Sequence, residues 1–137
     1  MPYLLDTNII SAIVRFPRGP AARRLRIESA GNVLTSIIVA AEARFGLKAS
    51  STRLSTRLSE LFDQIEVVAF DLPADHRYAE LRFHLEQRGH PIGANDMLIA
   101  AHALALECTL VTANEKEFRR VPGLSVDNWL ADAEAAR

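Results

Sequence analysis

The sequence predicts an α/β fold, a mainly parallel sheet covered by helices on both faces. Short apolar runs of β-type residues alternate with helix-patterned segments from one end of the chain to the other. Parallel neighbours must be joined by crossovers, which are normally helical and right-handed. Residues that favour helix N-caps stand directly after the runs, as in Asp6-Thr7-Asn8 and Ser36, so each strand feeds a helix. With 137 residues the chain is expected to form one domain over 1–137, because two cores would each be small for their surface.

Taken in order, Tyr3-Leu4-Leu5 is a strand and Asp6-Thr7-Asn8 starts a helix over 9–15 that stops in the proline-containing stretch 17–20. A second helix covers 21–28, and Gly31-Asn32 turns into a strand at Val33-Leu34-Thr35. Ser36 caps a helix over 37–48, where alanines outweigh the β-branched start. Leu54, Leu58, Leu61 and Phe62 fall at helical spacing in 52–62, and a β-type run follows over 66–70. Pro73 opens a helix to 88 with Tyr78, Leu81 and Leu85 as its apolar stripe, and Gly89-His90-Pro91 ends it. Asn95 is expected to cap a helix over 96–107, a strand follows at 109–112, and Val126 marks a last strand before a C-terminal helix.

The composition, 49% hydrophobic and 24% charged, argues against disorder and against a pure coiled coil. The longest apolar runs are far shorter than the roughly 20 residues needed to cross a bilayer. Asp6 interrupts the N-terminus before a signal-peptide core could form, so a cytoplasmic protein is expected. Cys108 is the only cysteine, which excludes an internal disulfide and a thiolate metal cluster within one chain; it is expected to be buried and inert. The net charge of −1 conceals a split, for residues 1–59 carry nine basic and three acidic side chains while 60–137 carry seven and fourteen. Arg15, Arg18, Arg23, Arg24 and Arg26 cluster without an intervening acid, a pattern that attracts phosphates and equally describes a solvated helix face.

Three acids stand in apolar surroundings. Asp6 lies between Leu5 and Ile9-Ile10, Glu42 follows Ile37-Ile38-Val39-Ala40-Ala41, and Asp96 precedes Met97-Leu98-Ile99-Ala100-Ala101. Ionised acids in such settings need a partner or a cation. Asp6 and Asp96 could each serve only a helix N-terminus, but Glu42 lies too far into its helix for capping. Together they favour a shared Mg²⁺ or Mn²⁺, whose chemistry suits phosphodiester hydrolysis by an activated water. Thr7, Ser36 and Thr112 fall at strand ends in the same region and could hydrogen-bond the acids, or serve as ordinary turn and cap residues. The four histidines form no zinc-ligand pairing, with His102 expected to pack on its helix, and no phosphate-binding glycine loop or serine elbow occurs.

Four blocks carry a family resemblance: Leu4-Leu5-Asp6-Thr7-Asn8-Ile9-Ile10-Ser11, Glu42-Ala43-Arg44-Phe45-Gly46, Gly93-Ala94-Asn95-Asp96-Met97-Leu98-Ile99-Ala100-Ala101-His102-Ala103, and Leu110-Val111-Thr112-Ala113-Asn114. In this order and spacing the sequence resembles the PIN-domain ribonucleases, specifically the VapC-type toxins of toxin-antitoxin pairs. The resemblance implies a three-layer sandwich and an endoribonuclease with Asp6, Glu42 and Asp96 around Mg²⁺ or Mn²⁺. It also implies RNA as substrate, in transfer RNA or another translation RNA, a homodimer, and an antitoxin that covers an apolar groove and places a basic side chain among the acids. The family commonly has a further acid where this chain has Asn114, whose amide could orient water or phosphate. Glu115 and Glu117 stand nearby and could substitute for that acid, although Glu117 also completes a capping box with Asn114, the preferred role. Two alternatives are carried: a non-catalytic RNA-binding or scaffold module, which would lack Asp6-dependent Mn²⁺ affinity, and an aspartyl-phosphate domain using Asp6. The second lacks an acid two residues on and a lysine near a strand end.

Overall fold

The structure is a computed structural model that describes residues 1–28 and 30–131. In chain order these residues form β1 (Tyr3–Leu5), α1 (Thr7–Arg15), α2 (Pro20–Ile27), β2 (Val33–Ser36), α3 (Ile37–Gly46), α4 (Thr52–Gln64), β3 (Glu66–Val68), α5 (Ala74–Gln87), α6 (Ala94–Ala105), β4 (Thr109–Val111), α7 (Glu115–Phe118) and β5 (Val126–Asp127). All five strands pair in parallel, in the order β3-β2-β1-β4-β5. Every strand expected from the sequence is present, the third ending at Val68 rather than residue 70. The C-terminal helix expected after Val126 lies, beyond Ala131, outside the described residues.

The strand order reverses at β1. From β1 the chain moves one way to β2 and β3, then crosses back through α5 and α6 to β4 on the other flank of β1. With right-handed crossovers, helices before and after the reversal lie on opposite faces. The packing agrees: α1 contacts α2, α3 and α4, whereas α5 packs along α6. Leu4, Leu5, Leu110 and Val111 are fully buried in the middle of the sheet, as expected for strands covered on both sides. Helix α6 is apolar on nearly every side, and Met97, Ile99, Ala100, Ala101, His102 and Ala103 are all buried. No helix among the described residues is long and apolar enough to cross a membrane. Cys108 is buried as expected, and burial pushes its thiol up to about 11, which keeps it protonated and unreactive.

Helix boundaries differ from the sequence expectation at two informative places. The α6 N-cap is Gly93, not Asn95, which sits inside the first turn with its side chain turned toward α3. The Leu72–Pro73 peptide is cis, and Pro73 precedes α5 rather than opening it.

Arg24 is a tertiary anchor rather than a free cation. Its guanidinium lies over the rings of Tyr3 and Trp129, bonds Glu28 Oε1 at 2.9 Å and reaches Asp127 Oδ2 at 3.8 Å. It thereby ties α2 to the β1 and β5 edges. Replacing Arg24 by Ala is expected to destabilise the fold by about 2–3 kcal/mol, read by denaturant unfolding, through loss of packing and charge pairing together.

Candidate active site

The carboxyl edge of the sheet, where the strand order reverses, is where an α/β fold gathers ligands. Asp6 directly follows β1 there. Its backbone is extended (φ −80°, ψ 166°), so it caps α1, with Oδ1 accepting the Thr7 N–H at 2.8 Å. Its other oxygen, Oδ2, accepts the Thr112 hydroxyl at 2.7 Å across from the end of β4. Thr112 is fully buried and in turn accepts the Asn8 amide at 3.3 Å and the Asn114 N–H at 3.0 Å. Asn8 closes the loop by accepting the Ala113 N–H at 3.0 Å. Two parallel strand ends are thus stitched together, and Asp6 is fixed in orientation by groups 106 residues away in sequence.

Glu42 projects from α3 to the same place. Thr7 donates its hydroxyl to Oε1 at 2.7 Å, and Asn95 donates its amide to Oε2 at 3.1 Å. Asp96 is adjacent to Asn95 in the first turn of α6. That helix feeds β4 and runs against it, so its N-terminus and dipole lie at the same carboxyl edge as Asp6.

The fourth carboxylate of the cluster is Glu117, for which the sequence favours a helix cap over a place in the site. Asn114 at φ −95°, ψ 54° lacks N-cap backbone geometry and makes no side-chain cap. Glu117 therefore does not serve a capping box. It accepts the Gly93 N–H at 3.2 Å and the Asn114 amide, and its charge acts on Asp96. Asn114 itself is exposed at the rim and acts on Glu117. Glu115 is held away by Arg119 and Asn128. The signal available in sequence was the short spacing from the β4 end, which a capping box shares.

The electrostatics mark these groups as one cluster. Burial pushes the Asp6 carboxyl above its usual range, and Glu42 and Glu117 push it further, against the hydrogen bonds from Thr112 and Thr7. Asp96 is raised to about 6, first by burial and then by the charges of Asp6, Glu117 and Glu42. Within the described residues no cation acts on either group. Arg44, two residues from Glu42, lies instead over the Phe62 ring.

A hard divalent cation fits this donor set, since the atoms that could ligate it are carboxylate, hydroxyl and amide oxygens and the carboxylates repel one another. Yet no three His, Cys, Asp or Glu side chains among the described residues already form a coordination group. Glu42 and Glu117 hold their oxygens on Thr7, Asn95, Gly93 and Asn114 instead.

Thr7 and Thr112 therefore hold acids, but Ser36 does not. Its hydroxyl accepts the Ile38 N–H at 3.0 Å and meets His102 Nδ1 at 2.7 Å, buried between α3 and α6. The physical reason is strand alternation: Thr35 and Ser36 point to opposite faces, and the Thr35 hydroxyl donates to Leu5 O at 2.7 Å. His102 does pack within the fold, edge-on to Phe70.

The arginines divide. Arg15, Arg18, Arg53 and Arg57 line a groove of about 750 Å³ together with Phe16 and Pro17. Arg23 and Arg26 are exposed and hold carbonyls of Arg18 and Pro17, which shapes the turn bearing that groove. Arg24 is absent from it, packed as described. A smaller cavity of about 80 Å³ is lined by both Arg15 and the Thr7–Glu42 pair, so the basic groove meets the acids at Arg15.

This geometry has known counterparts. The PIN domain family model matches residues 3–124. The chain belongs to the PIN domain family. Within it the chain is 39% identical over 132 residues to "Ribonuclease VapC2" of Rickettsia felis, covering 94% of this chain and 98% of that protein. It is 30% identical over 132 residues to the "tRNA(fMet)-specific endonuclease VapC" of Shigella flexneri, again covering 94% and 98%. Among solved structures, the VapBC2 complex of Rickettsia felis bound to a promoter DNA fragment contains a chain that superimposes with TM-score 0.87 at 37% identity, over 94% of this chain and 99% of that one. This PIN domain is thus of the VapC type, and its fold is the one those toxin-antitoxin structures share.

Proposed function

We propose that this PIN domain is a divalent-cation-dependent endoribonuclease, the toxin of a toxin-antitoxin pair. The observation that carries the proposal is the convergence of Asp6, Glu42, Asp96 and Glu117 at one sheet edge, where burial and their mutual repulsion raise the carboxyls of Asp6 and Asp96. Mg²⁺ or Mn²⁺, held by Asp6, Glu42 and Asp96 with Glu117 beside them, would supply charge neutralisation, polarisation of the phosphodiester and a lowered pKa for water. The protein's own contribution is placement. Thr112 and the α1 N-terminus fix Asp6, Thr7 and Asn95 steer Glu42, and Asn114 with the Gly93 N–H orients Glu117.

The basic groove supports RNA as the substrate. Arg15, Arg18, Arg53 and Arg57 offer phosphate contacts that lead, through Arg15, to the acids. A single-stranded loop suits this path, because unstacked nucleotides can bend into a cleft. A transfer RNA or another translation RNA is the expected target, in keeping with the name of the Shigella relative. An antitoxin chain is the expected partner, as the similar solved structures are VapBC complexes, and a homodimer the expected assembly. The aspartyl-phosphate alternative gains nothing: both Asp6 oxygens are hydrogen-bonded and like charges surround it.

The test is to incubate antitoxin-free protein with total cellular RNA plus Mn²⁺ or Mg²⁺, then map new 5′ ends. Discrete cuts that vanish with chelator are expected; RNA left intact across cation concentrations would overturn the proposal and favour the scaffold reading.

A further inference from the structure

We propose that Phe45 is a stacking platform for the nucleobase next to the scissile phosphodiester, with Asn95 contacting the edge of that base. The inference rests on the endoribonuclease reading and names a subsite within it. Phe45 lies on α3 one turn beyond Glu42, and it is 83% exposed. A large aromatic ring left in water is a cost that the fold does not explain, since α3 already buries Val39, Ala40 and Ala43.

The ring borders an open recess of about 500 Å³ whose other walls are Thr7, Ala41, Glu42 and Asn95. Thr7 and Asn95 are the two residues that hold the Glu42 carboxylate. Thr7 and Glu42 also line the cavity that reaches Arg15. A strand whose phosphates follow the arginines therefore arrives at the recess as it passes the acids.

The chemistry of the walls selects the occupant. The Glu42 charge disfavours a phosphate there, so the part of an RNA strand that enters is an uncharged one. The phenyl ring favours a flat one. Asn95 donates Nδ2 to Glu42, while its Oδ1 accepts no hydrogen bond among the described residues, leaving an acceptor for a base N–H. An apolar protein side chain would bury that acceptor unsatisfied and strip water from the Glu42 charge. A nucleobase satisfies all three walls, and stacking on an aromatic ring tolerates any base.

The experiment uses the whole chain and single-stranded RNA oligonucleotides copied from the strongest cut mapped in total RNA, each with one abasic position stepped across the cleavage site. Phe45→Ala is expected to raise KM about 10- to 100-fold with a much smaller change in kcat, and Phe45→Trp to recover most of the loss. One abasic position should weaken the wild type by a similar factor and leave Phe45→Ala no weaker than it already is. Anisotropy with a labelled mixed-sequence single-stranded RNA, in chelator and without divalent cation, reads binding without turnover. It keeps the stacking question answerable in case the wild type proves not to cleave, an outcome that would sink the endoribonuclease reading alone. Unchanged binding and KM in Phe45→Ala, or a change confined to oligomeric state or antitoxin affinity, would overturn the stacking proposal.

Discussion

Asp96→Asn is expected to abolish RNA cleavage while making the metal-free protein more stable at neutral pH. Loss of cleavage should reach about 10³-fold or more, the equivalent of about 4 kcal/mol of transition-state stabilisation from a cation that the remaining acids hold poorly. The stability gain follows from the sign of the pKa shift. Asp96 titrates at about 6 in the fold against an ordinary 3.8, so between those values the folded chain holds a proton that the unfolded chain has released. Its contribution to stability is complete below about pH 4 and declines as pH rises through about 6. Above that, the wild type carries an uncompensated charge and the amide variant does not. The variant should melt several degrees higher at pH 7.5, from about 1–2 kcal/mol, with the difference shrinking toward pH 4. Saturating Mn²⁺ should reverse the order at pH 7.5 by stabilising the wild type more. A scanning-fluorimetry matrix of pH against cation reads all of these outcomes; a wild type indifferent to Mn²⁺ would argue against a cation site.

Glu117→Gln is expected to lower kcat/KM about 100-fold, and Asn114→Ala about 10-fold or less, because Glu117 adds charge to the cluster whereas Asn114 only orients it. Gln keeps the volume and one acceptor for the Gly93 N–H, so the difference isolates charge. The measurement is single-turnover cleavage of the mapped substrate by both variants beside the wild type. The opposite ranking would assign the position to Asn114. A further readout is Mn²⁺ affinity, which Glu117→Gln should weaken and Asn114→Ala should leave near the wild-type value.

Asp6, Glu42 and Asp96 stand out in the sequence because each is an acid among apolar neighbours, and a charge placed there calls for a partner or a cation. The alternation of strand and helix is legible for a related reason: local periodicity and capping are short-range properties. Glu117 is not separable from a cap by spacing, since Asn-x-x-Glu reads the same whether the carboxylate turns back to its own helix or across to Gly93. Similarly, five arginines close in sequence look equivalent. The fold sends Arg24 between Tyr3 and Trp129, leaves Arg15 and Arg18 in the groove, and adds Arg53 and Arg57 from α4.

By itself the sequence determined the α/β class, the five strands, the three apolar-flanked acids and the absence of an internal disulfide, because each depends on residue type and near neighbours. Only the tertiary structure decided which polar side chains meet the acids. Thr112 reaches Asp6 across 106 residues and Asn95 reaches Glu42 across 53, while Ser36, at the end of β2, turns to His102. Those partnerships depend on how the parallel strands are ordered and on which side each side chain leaves its strand. Both are set by long-range pairing that no local spacing encodes.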